Sequence, residues 1–316
     1  MRRHCLDLDD YSAEEIKGVL STADAMQEIL ARPVRKAPAL NGRMVVNCFY
    51  EASTRTRVSF EVAAKSLSAD VVNITAGGSS VEKGESLIDT AKTLVALGAD
   101  IIVIRHPMAG APHVVARNAN VAVINAGDGR HAHPTQALLD LYTMHSRIGR
   151  LAGLKVAIVG DVLHSRVARS NLHGLTRMGA QVILCGPATL LPANLQMEGL
   201  RFEHDLDAII DQVDVVMPLR IQKERADGGL IPSLREYRER WGITAERMRR
   251  MRRDALIMHP GPMNPGIEID PEVAVSPASV IESQVTNGVA IRMALLYTLG
   301  EATPRRRAAA ADGAHA

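Results

Sequence analysis

Aromatic residues are scarce in this 316-residue chain, with one Trp, five Tyr and three Phe, or 3% in all. Surfaces that stack nucleic-acid bases need aromatic platforms, so that class of partner is disfavoured. Charge of one sign is lacking too. Lys and Arg number 37 against 35 Asp and Glu, a net +2. That is too even for a protein built around nucleic acid or an anionic membrane. The three cysteines, Cys5, Cys48 and Cys185, are odd in number and far apart. They imply no disulfide framework and fit a reducing cytoplasm. No run reaches the ~18 apolar residues of a membrane span. The opening MRRHCLDLDD turns acidic without an apolar stretch, unlike a secretory signal. No internal repeat carries a motif signature.

What is present points to a packed globular protein. Hydrophobic residues make up 47% and charged residues 23%, and the length suits two lobes. Short apolar runs predict strands at Met44–Tyr50, Asp70–Ile74, Ile101–Arg105 and Val121–Asn125. A second series falls at Lys155–Val159, Gln181–Leu184, Val213–Met217 and Ala255–Met258. Helical periodicity appears between them at Arg57–Leu67, Ser86–Leu97 and Pro134–Ile148. Alternation of this kind predicts an α/β fold of two doubly wound lobes, each a parallel sheet flanked by helices.

Gly149–Gly153 marks the junction, which divides the chain into residues 1–132, a linking helix within 133–149, and residues 150–284. A last amphipathic segment, Val285–Leu299, is expected to end at Gly300 as a C-cap and to pack back on the first lobe. It and the Pro134–Ile148 helix would join the lobes. Residues 303–316 lack a core pattern and read as a disordered tail, its Arg305–Arg307 triplet solvated.

In such sheets ligands lie beyond the carboxyl ends of the strands. After the first predicted strand comes Ser53-Thr54-Arg55-Thr56-Arg57, with Val58, Val62 and Leu67 expected on one helix face. Ser53 or Thr54 suits the N-cap, and first-turn amides, hydroxyls and a guanidinium together suit a dianionic phosphate. The next strand end is Arg105-His106-Pro107, and the next leads to His133-Pro134-Thr135-Gln136. Pro134 suits the first turn of a helix whose stripe is Leu138, Leu141, Tyr142 and His145. His133 would then face the cleft at a helix start, where the dipole favours the neutral ring. His131 and His133 lack the partners of a zinc site, so no metal is expected.

In the second half, Val156–Val159 ends in Gly160-Asp161 and leads to Arg166. A dinucleotide site is the rival reading. It fails because the G-x-G-x-x-G spacing is missing and Asp161 suits a pyrophosphate badly. Arg166 and Arg220 could supply two guanidinium forks, which favours a dicarboxylate over a substrate bearing an ammonium group.

The segment Phe49–Glu61, with its Ser-Thr-Arg-Thr core, resembles the carbamoyl-phosphate signature of the aspartate and ornithine carbamoyltransferases. The His-Pro-Thr-Gln string agrees, and the likeness runs from about residue 5 to 300. Leu219-Arg220-Ile221-Gln222-Lys223-Glu224-Arg225 and Met258-His259-Pro260-Gly261-Pro262 resemble the aspartate branch; the ornithine branch carries a cysteine in the latter string, which is absent here. Pro265 departs from the arginine common at that place in close relatives.

The resemblance implies transfer of a carbamoyl group from carbamoyl phosphate to L-aspartate, without a cofactor, in pyrimidine biosynthesis. It assigns Ser53, Thr54, Arg55 and Thr56 to phosphate, with Thr56 also facing the carbonyl oxygen. Arg105 and His133 go to that oxygen, Gln136 to the carbamoyl nitrogen, and the carbonyls of Pro260 and Gly261 to the amide and amine. Arg166, Arg220 and Gln222 go to aspartate. The loop Thr75–Ser86 resembles one that reaches into a neighbouring subunit, where Ser79 and Lys83 would touch phosphate and Lys83 also aspartate. A homotrimer with shared sites follows, a unit that can enter larger assemblies with regulatory chains or a dihydroorotase.

Overall fold

The structure, a computed structural model, describes residues 2–75, 85–221 and 233–302. The first half contains β1 (His4–Cys5), α1 (Ala13–Ala31), β2 (Met44–Phe49), α2 (Thr54–Ser66), β3 (Asp70–Thr75), α3 (Leu87–Ala96), β4 (Ile101–His106), α4 (Ala111–Asn118), β5 (Ala122–Asp128) and α5 (Pro134–Ile148). The second contains β6 (Lys155–Val159), α6 (Arg166–Arg177), β7 (Gln181–Cys185), β8 (Leu200–Glu203), β9 (Val215–Pro218), α7 (Leu234–Trp241), α8 (Ala245–Arg250), β10 (Leu256–Ile257), α9 (Pro271–Ala274) and α10 (Ile281–Ala302).

Two five-stranded sheets result, ordered β1-β5-β4-β2-β3 and β10-β9-β6-β7-β8, and every strand pairing within them is parallel. Strand residues alternate between faces, and the cores follow that alternation. Val45, Ile101, Val103 and Ile124 face α1, α2, α5 and α10, whereas Val46, Cys48, Ile102 and Ile104 face α3 and α4. In the second sheet Val156, Ile158, Val182 and Met217 join the same cluster as the inner face of the first, together with α6. Ala157, Val159, Ile183 and Val216 bury Tyr237 and Trp241 on the outer side. One apolar layer therefore runs continuously between the two lobes. No helix among the described residues is long and apolar enough to cross a membrane.

Each sheet has one reversal of winding. From β2 the chain moves out to β3, then returns as β4 on the opposite flank of β2. From β6 it moves out through β7 and β8, then returns as β9. A crevice opens beyond the carboxyl ends at such a reversal, because the connections leave in opposite directions there. Ser53–Thr56, Arg166 and Arg220 follow three of those strands, and Arg105 sits at the carboxyl end of the fourth, β4.

Several sequence expectations need correction. The short strands β1 (two residues) and β8 (four residues) fall outside the predicted series; His4–Cys5 and Leu200–Glu203 lack the apolar run that marked β9 and β10. Val58 and Val62 are 43% and 42% exposed, because α2 buries Phe60, Ala63 and Ala64 instead. His145 is exposed, and α5 is buried on all sides from Pro134 to Met144, wedged among α6, α10 and β5. Gly300 is no C-cap: α10 runs through it to Ala302. A Cβ there would meet Leu40 at 2.7 Å, and its carbonyl accepts from Arg43 at 3.2 Å. That glycine serves close packing of the last turn. The tail 303–316 lies outside the described residues.

At the end of β6, Gly160 has φ +117° and a Cβ would run into the hydroxyl of the buried Tyr237. Gly160→Ala should cost about 2–4 kcal/mol through backbone strain and overpacking combined. A thermal melt should show Tm falling by several degrees; an unchanged Tm would contradict this account of the turn.

Candidate active site

Ser53 N-caps α2. Its Oγ accepts from the Thr56 amide at 3.4 Å and donates to Thr56 Oγ1 at 3.0 Å. Thr56 is buried, while Thr54 and Arg55 are exposed in the first turn, where the remaining amides lack intrahelical acceptors. The guanidinium of Arg55 lies directly against Gly261 in the loop after β10; any Cβ would overlap Arg55 Nη1, and φ there is +65°. A side chain at 261 would thus both strain the backbone and evict Arg55.

That loop is fixed from behind. The Gly261 amide donates to His259 Nδ1 at 2.8 Å, which leaves Nε2 to face Glu268 at 3.3 Å. The His259 amide donates to Gln284 Oε1 of α10 at 2.9 Å. Just before Pro265, Asn264 donates to the Ile221 carbonyl at 2.7 Å and anchors the turn.

Between the lobes stands Glu51. Its carboxylate accepts from Arg105 at the end of β4. It also takes a two-pronged contact from Arg166 at the start of α6, at 2.9 and 2.5 Å. Arg166 reaches the Gly129 carbonyl at 3.1 Å as well. Burial raises the carboxyl pKa of Glu51, but hydrogen bonds from Arg166 and the charge of Arg105 outweigh it and hold the group below its usual range. Burial and the Arg166 charge lower the Arg105 pKa, partly offset by Glu51.

His133 is the N-cap of α5 and only 4% exposed; its amide donates to Ser170 Oγ of α6 at 2.9 Å. Burial, then the charges of Arg105, Arg166 and Arg292, push its pKa well below the ordinary value. The ring is therefore neutral at physiological pH. Its Nδ1 has no protein partner among the described residues. Gln136 donates its Nε2 to Asp140 Oδ1 at 3.0 Å.

Two family models cover this chain: the carbamoyl-phosphate-binding domain of aspartate/ornithine carbamoyltransferases over residues 3–146, and their Asp/Orn-binding domain over 152–299. The chain belongs to the aspartate/ornithine carbamoyltransferase family. The aspartate carbamoyltransferase catalytic subunit of Chloroflexus aurantiacus is 61% identical over 303 residues, or 95% of this chain and 98% of its own. The aspartate transcarbamoylase of Trypanosoma cruzi, solved with carbamoyl phosphate, superposes with a TM-score of 0.87 at 32% identity, covering 94% of this chain and 95% of its own. The catalytic subunit of M. jannaschii aspartate transcarbamoylase gives 0.85 at 38% identity, covering 95% and 99%.

Of the residues in the family signature, the structure joins Ser53 to Thr56, sets Arg55 against Gly261, links Arg105 to Arg166 through Glu51, ties His133 to α6 through Ser170 and turns Gln136 to Asp140. Pro260 is half-buried in the loop beside Gly261. Arg220 is exposed two residues past β9 and takes no part in the hydrogen bonds around Glu51. Ser79, Lys83 and Gln222 lie outside the described residues. No group of three or more His, Cys, Asp or Glu among the described residues is arranged for a metal ion.

Sequence reasoning passed over Glu51, although it sits inside the signature. It also missed Arg292, 4% exposed on α10, which donates to Ser59 at 2.9 Å and lies over the Phe60 ring. The available signal was the polar residues Gln284, Asn287 and Arg292, which share the buried part of this helix with Ala290, Ile291 and Leu295.

Because its pKa is depressed, His133 should not titrate between pH 6 and 8. Nitrogen-15 NMR of labelled histidines is the check; a midpoint near 6.5 for His133 would contradict the geometry.

Proposed function

We propose that the chain transfers the carbamoyl group of carbamoyl phosphate to the amino group of L-aspartate, giving N-carbamoyl-L-aspartate and phosphate for pyrimidine biosynthesis. The observation that carries this reading is the meeting of four elements at the two facing reversals. These are the Ser53–Thr56 helix start, Arg105, the neutral His133 and, from the other lobe, Arg166.

Residues 1–132 with the returning helix α10 form the carbamoyl-phosphate lobe, and residues 150–284 the aspartate lobe. Ser53, Thr54, Arg55 and Thr56 hold the phosphate with helix amides and a guanidinium. As the amine attacks, negative charge grows on the carbamoyl oxygen. Arg105, Thr56 and His133 are the donors for it, and stabilisation aimed at that charge lowers the barrier. A neutral ring suits this role, because it donates without adding a fourth cation beside the arginines. Gln136 takes the carbamoyl nitrogen, and the Pro260 and Gly261 carbonyls accept from the amide and amine. No covalent enzyme intermediate is needed, and no cofactor enters.

Arg166, Arg220 and Gln222 bind the aspartate carboxylates. Glu51 occupies the Arg166 fork in this structure, so an incoming carboxylate shares or takes that fork, and the exchange couples substrate arrival to lobe closure. Carbamoyl phosphate binds first, since its lobe forms one wall of the second pocket. A homotrimer in the cytoplasm is the active unit, with Ser79 and Lys83 supplied by a neighbour and Lys83 reaching both substrates. The exposed Val58 and Val62 of α2 and Val72 on the edge strand β3, next to the 76–84 segment, support such an interface. Regulatory chains or a dihydroorotase would join at that level of assembly.

Purified protein given carbamoyl phosphate and L-aspartate should form carbamoyl-aspartate, detected colorimetrically, and should form nothing with L-ornithine in parallel. Product from ornithine would mean the second lobe is misread; no product from either would reject the reading. His133→Ala should lower kcat by ~10²-fold or more while leaving KM within a few-fold, as for a lost oxyanion donor. Unchanged turnover would remove His133 from the chemistry.

A further inference from the structure

One fully buried carboxylate near the cleft has no role in the scheme above. Asp140 is fully buried on α5, one turn beyond Gln136. Its Oδ1 accepts from Gln136 Nε2 at 3.0 Å and from Gln284 Nε2 at 2.8 Å. Its Oδ2 accepts from Asn171 Nδ2 at 2.8 Å. Three side-chain amides, from α5, α10 and α6, thus converge on one carboxylate.

An ionised carboxylate only accepts, so every amide that meets it must turn its nitrogen inward and its oxygen away. A solvated glutamine chooses either orientation freely; one held by Asp140 does not. For Gln284 the outward oxygen is already used, accepting the His259 amide at 2.9 Å and so holding the loop that carries Gly261 against Arg55. Asn171 is the neighbour of Ser170, which takes the His133 amide. Gln136 lies in the first turn of α5, three residues from His133, and its oxygen is the end left for a ligand.

We propose that Asp140 is a positioning residue that locks the Gln136 amide with its oxygen toward the substrate, so that the site demands an N–H donor on the acyl group. This rests on the carbamoyl-transfer reading. A carbamoyl group offers that donor and an acetyl group, its near isostere, does not. Were the amide reversed, its NH₂ would meet the carbamoyl NH₂, donor against donor, whereas an acetyl methyl would lose nothing.

The carboxylate has to stay ionised to do this. Burial raises its pKa to about 6, against the lowering effect of the Asn171, Gln284 and Gln136 hydrogen bonds and the charge of Arg292. Arg292, on the facing helix α10, is a charged side chain whose field lowers it. At neutral pH the lock holds. Protonation converts one acceptor into a donor, the same change that an asparagine makes permanently.

Asp140→Asn is therefore the test. The full chain is titrated calorimetrically with carbamoyl phosphate and with acetyl phosphate, and kcat and KM are measured alongside. Carbamoyl phosphate should bind ~10-fold or more weakly, the scale of one mismatched polar contact, while acetyl phosphate stays within about twofold. Equal losses for both ligands would mean Asp140 merely supports the fold and would overturn the proposal, as would no loss for either.

If the variant does not fold, the wild-type protein decides. Its preference for carbamoyl over acetyl phosphate should fall as pH is lowered from 7 to 5. The phosphate's own titration cancels in the ratio, and a flat ratio would overturn the lock. The wild-type assay with aspartate comes first. Carbamoyl-aspartate formation with an unmoved preference rejects Asp140 alone, whereas no formation rejects the parent reading and this one with it.

Discussion

Three guanidinium groups, Arg105, Arg166 and Arg292, act on one small region where water is largely excluded, and most of the cleft follows from keeping them there. Like charges at close range in a poor solvent repel strongly and are costly to desolvate. The protein answers with few counter-charges. Glu51 bridges Arg105 and Arg166, and Asp140 lends its field to Arg292. Burial lowers the Arg292 pKa to about 10, so it remains a cation at neutral pH. His133 yields instead, as the one basic group in the cluster whose proton is easily given up. The positive potential left over is what a doubly charged phosphate and a dicarboxylate would meet.

This balance spans two lobes, and the scaffold reflects it. Glu51 and Arg105 come from the first sheet, Arg166 from the second. The apolar layer between the sheets is continuous, with α5 and α10 at its centre. Gly174 of α6 sits so close to Leu141 of α5 and to Leu8 that a Cβ would lie 2.8 and 3.2 Å from them. The interlobe contacts around Glu51 are polar, while the α5–α6 seam is close-packed.

Much of this was legible in the residues. Eight of the strand runs, the α5 span and the helix starting at the Ser53 cap are local patterns, and local patterns survive in sequence. Ser53, Arg105, His133 and Arg166 could be named because each lies at or beyond the carboxyl end of a strand. What escaped was relational. Nothing local says that Glu51 faces an arginine 115 positions away, or that Gln136 and Gln284 share an aspartate. The face of α2 was misread because Val58 and Val62 look like core, yet Phe60 and two alanines pack better on the sheet. Gly300 looked like a stop signal because a glycine required by crowding has the same letter as one required by a turn.

The helix α10 has a consequence for how the molecule is made. It packs on α1, α2 and α5, all encoded in the first half, and contributes Ile291, Leu295 and Leu299 to the shared core. During synthesis the first sheet emerges more than 150 residues before the helix that seals its inner face. The nascent amino-terminal half thus carries an open apolar wall while the second half is translated, a period in which aggregation competes with folding. The last element translated is thus the one that completes the core of the first lobe.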